Sequence, residues 1–179
     1  MKKFVALLLA AVMMLTVCSM AMAETSGLGI SSSIGSSKDS ADGNDGAAQV
    51  DSAICAVVLD DNGVITAIHF DNAQTKVSFS AEGVITADKT AEVKTKRELG
   101  ADYGMVVASG IGKEIDAQMD ALEAWCIGKT VEEVLGMKTY DKGDGHHTTV
   151  PDEEDLKTGC TIDVGAYLAA LAKAAANAK

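Results

Sequence analysis

Residues 51–70, DSAICAVVLDDNGVITAIHF, decide the fold. Ala53 to Leu59 is an apolar run, Asp60-Asp61-Asn62-Gly63 is a turn signal, and Val64 to Phe70 alternates. Strand, tight turn, strand is the economical reading, with Asn62 and Gly63 supplying the positive-φ positions. Strand side chains point alternately to opposite faces, so Val64, Thr66, Ile68 and Phe70 are expected on one face and Ile65, Ala67 and His69 on the other. Lys76 to Ser80 puts Val77 and Phe79 on one face, and Ala81-Glu82-Gly83 then turns into Val84 to Ala87. The pentapeptide GVITA occurs at 63–67 and again at 83–87, which suggests two related hairpins. Two copies do not make a repeat protein.

Helical spacing takes over downstream of a polar, Gly-containing stretch at 89–112. Ile115, Met119, Leu122 and Cys126 recur at i, i+4, i+7 and i+11, one stripe of an amphipathic helix. Gly128 ends it, and Thr130 with Glu133 forms a capping box for a short helix to Leu135. Residues 138–160 read as an irregular, acidic loop. The Ala-rich segment Ile162 to Ala178 closes the chain as a helix, with Val164, Tyr167, Leu168, Leu171 and Ala175 inward. The expected fold class is α+β: a small antiparallel sheet of two hairpins, packed against the amphipathic helix and the C-terminal helix.

Upstream, the composition changes character. Lys2 and Lys3 precede an almost continuously apolar run from Phe4 to Val17, and Ala21-Met22-Ala23 is a small-x-small cleavage pattern. Residues 1–23 therefore read as a secretory signal peptide, and the run is short for a membrane-spanning helix. Cys18 sits in a loose lipoprotein box, but Val17 is bulky where that peptidase takes a small residue. Residues 24–50 are Ser, Gly, Asp and Ala with almost no large apolar side chain, and are expected to be a flexible tether. The domain proper is then 51–179, and its expected location is extracytoplasmic, with no membrane insertion of the mature chain.

The 179 residues carry 15 Lys+Arg against 26 Asp+Glu, a net charge of −11. This acidity argues against nucleic acid and against an anionic membrane surface as partners. Cleavage after Ala23 leaves Cys55, Cys126 and Cys160, which allows at most one internal disulfide and matches no zinc spacing. Burial as small hydrophobes is the simpler reading for Cys55 and Cys126. His146-His147 lies among Asp141, Asp144 and Asp152, but adjacent side chains diverge in extended chain, so a solvated loop is expected over a metal site. Trp125 beside the helical stripe is expected in the core. Lys94, Lys96 and Arg97 form the basic cluster, either a solvated face or a phosphate clamp.

Asp155-Leu156-Lys157-Thr158-Gly159-Cys160-Thr161, just before the last helix, is the informative segment. Gly159 permits a close backbone approach. Thr161 brings a hydroxyl to a helix start, where free N–H groups suit a phosphate. Thr158 and Thr161 are also good capping residues, and on spacing alone an ordinary cap is the simpler reading. The segment resembles the flavinylation motif of the FMN-binding domain family: Asp, two variable residues, Ser or Thr, Gly, Ala, then Ser or Thr. Val57 to Ile65 followed by Ile68, with Thr75 beyond, is similar to that family's opening hairpin, and the closing helix with Tyr167 also fits. The resemblance implies FMN joined through its phosphate to Thr161 by a flavin transferase, with Asp155, Thr158, Gly159 and Cys160 forming the rest of the acceptor segment. It also implies a redox partner, and an electron carrier rather than an enzyme with its own substrate. The sequence departs from the family at Cys160, where Ala is usual, and at Ile162-Asp163, where small hydroxyl residues follow. The alternatives are a secreted ligand- or protein-binding domain with a degenerate flavin site, and a redox protein working through Cys160.

Overall fold

The computed structural model describes residues 24–179, and the expected signal peptide lies outside the described residues. Three long strands come first: β1 (Thr25–Ser33), β2 (Gly46–Leu59) and β3 (Ile65–Phe79), antiparallel in the order β1-β2-β3. A short helix α1 (Lys96–Leu99) and a 3₁₀ turn (Gly100–Tyr103) lead to α2 (Ile115–Cys126) and α3 (Val131–Leu135). A two-residue pair, β4 (Thr139–Tyr140) with β5 (Val150–Pro151), precedes α4 (Gly165–Ala176). The architecture is α+β, an open three-stranded sheet with helices packed on it and a separate two-stranded pair.

The first correction concerns the expected tether. Thr25 to Ser33 is a strand paired along its length with β2, from Thr25 opposite Leu59 to Ser33 opposite Asp51. Two of its inward positions, Gly27 and Gly29, are glycines because α4 lies directly on them. A Cβ on Gly27 would come within 2.9 Å of the Ala174 carbonyl carbon, and one on Gly29 within 3.0 Å of that of Lys173. Facing them, Ala170 and Ala174 are fully buried. Backbone packs on backbone here, so no large side chain is needed or tolerated. Two outward β1 carbonyls are covered by side chains of α4 and its C-cap: Lys173 Nζ donates to Ile30 O at 2.8 Å and Asn177 Nδ2 to Leu28 O at 3.1 Å.

The second correction concerns strand faces. Val58 pairs with Ala67 but Leu59 pairs with Ile65, so Thr66 is an extra residue in β3. This bulge turns Ile65 inward, fully buried, onto the face that carries Ile68 and Phe70, and leaves Thr66 exposed. The turn before it is held by Asp60, whose Oδ1 accepts the Asn62 and Val64 N–H groups at 2.8 and 2.9 Å. Gly63 takes positive φ and Asn62 does not. The second GVITA copy repeats the device with Ser80, whose Oγ accepts from Glu82 and Val84, and with Gly83 at positive φ. Beyond it the chain returns to β3 through a bridge from Ile85 to Phe79 and N–H bonds from Thr86 and Ala87 to Ser78 O and forms no strand of its own, so the second hairpin is a turn at the end of one continuous β3.

The core forms between the inner sheet face and α2 and α4. Ile115, Met119, Leu122 and Cys126 are all buried, as their spacing requires, and pack with Ile68 and Phe70. Phe79 lies outside this core, opposite Gly46 on β2. The Thr130–Glu133 capping box is formed on α3. Val164, Tyr167 and Leu171 face inward on α4 together with Ala170 and Ala174, while Leu168 and Ala175 are half-buried at the margin. Trp125 is also partly buried against the core, with Lys129 Nζ 4.2 Å from its ring centroid.

Candidate functional site

The segment 155–161 is a tight loop that passes over α2. Asp155, Lys157 and Thr158 are exposed, whereas Leu156, Gly159 and Cys160 are buried. Gly159 and Cys160 both donate to Leu156 O at 2.8 Å, which closes the turn. A Cβ on Gly159 would stand 3.0 Å from that of Ala121, so this glycine permits the close approach expected of it.

Thr161 is held by Gln118, a residue the sequence reading passed over because it interrupts the apolar stripe of α2. Gln118 is fully buried, and its Oε1 accepts from the Thr161 N–H at 2.9 Å and, more weakly, from the Thr161 hydroxyl at 3.3 Å. Its Nε2 donates to Ser109 Oγ and Lys113 O, both at 3.1 Å. A buried amide bonded at both ends costs little to keep and fixes what it touches. On the outer side Lys142 Nζ donates to Thr161 O at 2.8 Å. Thr161, Lys157, Asp152, Tyr140 and Pro151 line an open pocket of about 360 Å³. Within it the Lys157 ammonium is shared between Glu154 at 2.8 Å and Asp152 at 3.7 Å.

Three expectations are corrected by this geometry. Helix α4 begins at Gly165, so Thr161 stands four residues ahead of the helix start and draws nothing from its first-turn N–H groups. Asp163 takes that role instead, with Oδ1 accepting the Gly165 N–H at 3.0 Å and Oδ2 accepting the Thr149 N–H at 2.8 Å. Arg97 is not a phosphate clamp. Its guanidinium reaches Glu123 at 2.5 Å, Asp120 at 2.6 Å and the Phe70 carbonyl at 2.5 Å, while Glu123 accepts the Phe70 N–H at 2.6 Å. The pair closes the free edge of β3 onto α2. Cys160 is fully buried, and desolvation pushes its thiol up to about 11, so a surface redox role for it has no accessible thiolate. Cys55 and Cys126 are free and fully buried too, as small hydrophobes.

The His146–His147 loop is organised by Asp144. Its Oδ1 accepts both backbone N–H groups at 2.9 and 2.8 Å, and its Oδ2 lies 2.7 Å from His147 Nδ1. These bonds, the backbone ones foremost, hold the Asp144 carboxyl well below the usual carboxylate range. Both imidazoles line a second cleft of about 340 Å³ between the polar end of β2–β3, the 3₁₀ turn and the first turn of α4. Asn72, Lys96, Tyr103, Met105, Ile115 and Tyr167 also line it. Among the described residues no group of three or more His, Cys, Asp or Glu side chains is placed to hold a metal ion.

No protein-family model, curated protein or solved structure matches this chain.

Proposed function

We propose that the chain is an exported electron-carrier domain with FMN attached through its phosphate to Thr161. The observation that carries the reading is the setting of the Thr161 hydroxyl. It stands at the edge of an open pocket, its backbone is locked by Gln118, and the Lys142 ammonium sits against its carbonyl. A phosphodiester there would lose only the weak hydroxyl bond to Gln118 and keep the 2.9 Å bond from the Thr161 N–H. Lys142 offers the cation that a monoanionic phosphate needs. Both Asp163 oxygens are turned to the Thr149 and Gly165 N–H groups, which they accept. Tyr140, 44% exposed, supplies an aromatic face in the same pocket.

When bound, the flavin supplies the redox chemistry. The chain itself supplies a rigid acceptor: Gln118 fixes Thr161, Gly159 sets the turn over Ala121, and Cys160 fills the buried position where the resembled motif has Ala. The test is co-expression with a flavin transferase, followed by denaturing electrophoresis under ultraviolet light. Fluorescence that survives denaturation and disappears in Thr161→Val is the expected result. A colourless wild-type chain would overturn the reading.

A further inference from the structure

We propose that the outer face of the three-stranded sheet is the contact through which two copies of this chain pair, face to face about a two-fold axis. The inner face is taken up by the core, where Ala53, Cys55, Val57 and Leu59 of β2 are all buried. Alternate residues of the same strand point the other way: Ala48, Val50 and Ala56 are exposed, and Ile54 and Val58 are half-buried. Leu28 lies opposite Ala56 and Ile30 opposite Ile54, and these two β1 side chains are 56% and 48% exposed. Val77 of β3, also exposed, continues the face opposite Ala48. A soluble chain that stays single rarely shows an apolar face this continuous.

Charge points to a second copy as the occupant. The chain carries 26 acidic against 15 basic residues, so two copies repel each other over most approaches. The outward positions of β1 from Ser26 to Ser32, and of β2 from Ala48 to Val58, hold only Ser, Leu, Ile, Ala and Val. The ionisable residues of this face, His69 and Asp71, stand on the edge strand β3 and are engaged within their own chain. His69 Nδ1 lies 3.3 Å from Glu123, and Asp71 Oδ1 accepts the Asn72 and Arg97 N–H groups at 2.7 and 3.3 Å. A basic partner would find no free carboxylate in the centre of the face, whereas a second copy brings the same neutral, apolar ground. Shape and size agree. Ala56 and Ala67 line a shallow depression of about 510 Å³ beside Leu28. Two-fold pairing sets the Leu28–Ile30 ridge of each copy over the depression of the other, so one fit is made twice. With strands about 4.8 Å apart and rising about 3.3 Å per residue, the face projects roughly 600 Å² per copy. Side-chain relief adds to this, which brings the pair into the range of about 1,200–2,000 Å² typical of specific interfaces. The residues around the Thr161 pocket lie off this face, so pairing leaves that pocket open and is independent of flavin attachment.

Sedimentation velocity of the exported chain, residues 24–179, at about 1 to 100 μM reads the mass directly. A reversible dimer is expected. Its population should rise as salt goes from about 0.05 to 0.5 M, because screening weakens the repulsion between two acidic copies and leaves the apolar contact. Ala56→Glu places a carboxylate at an exposed position in the centre of the face. It should give monomer throughout that range with an unchanged circular dichroism spectrum; Ala67→Glu carries the test if the first variant fails to fold. Val107→Glu, at a valine 97% exposed outside the sheet, should keep the dimer. A wild-type chain that is monomeric at about 100 μM would overturn the proposal. So would a dimer that persists in both alanine variants, is lost in Val107→Glu or dissociates with added salt, and so would open-ended higher oligomers.

Discussion

Gly29→Ala tests whether the N-terminal strand belongs to the core. A single methyl group at Gly29 would fall inside the van der Waals envelope of Ala170 O and Ala174 N and stand 3.0 Å from the Lys173 carbonyl carbon. All three obstacles are helix backbone, which cannot rotate away as a side chain can. Helix α4 would have to lift from β1 by roughly 1 Å, stretching the Lys173 and Asn177 bonds to Ile30 O and Leu28 O. Overpacking of this kind costs about 1–3 kcal/mol, and the rigid obstacle argues for the upper half of that range. Replacing glycine in a strand returns about 0.4–1 kcal/mol in chain entropy, too little to reverse the sign. Gly110→Ala is the control, because a Cβ there meets nothing within 4 Å. Urea unfolding followed by circular dichroism should show a lower midpoint with an unchanged slope for Gly29→Ala and little change for Gly110→Ala. A shift below about 0.5 kcal/mol at Gly29, the size of an ordinary surface change, would refute the packing argument and restore the tether.

Four further outcomes are expected. Leu122→Ala, at a fully buried position in the core, should cost about 2–5 kcal/mol in the same assay. Arg97→Met should cost about 1–3 kcal/mol, since it removes the guanidinium from Glu123, which keeps the Phe70 N–H, and leaves the Phe70 carbonyl without its side-chain donor, whereas Lys94→Met should stay within about 0.5 kcal/mol. Desolvation lifts the Cys55 and Cys126 thiols to about 12 and Cys160 to about 11 from an ordinary 9.0. Folded thiols then keep protons that unfolded ones release, so this contribution to stability is whole below pH 9 and is lost as pH rises toward 11–12. Unfolding midpoints measured across that range should fall. Iodoacetamide at pH 8 should label the three cysteines in urea but not in the native chain; fast native labelling would contradict their burial.

Much of the architecture was legible in local pattern. The 3.6-residue stripe from Ile115 to Cys126, the Thr130–Glu133 capping box and the Asp60–Gly63 turn each depend on neighbours along the chain, and each formed where its residues stand. Only the tertiary structure decided the rest. Gly27 and Gly29 look like linker residues because their contribution is an absence of side chain, which has meaning only once α4 lies against them. Thr66 reverses the face of Ile65 because the register of β2 against β3 inserts one residue, and no period-two pattern carries that information. At the candidate site, the acceptor segment was visible as a motif, but the residue that locks Thr161 was not. Gln118 reads as a polar interruption of an apolar stripe until the fold brings a chain segment 43 residues away onto its amide oxygen. Local spacing determines which elements form; which buried polar groups find partners, and which do not, is settled only by long-range contact.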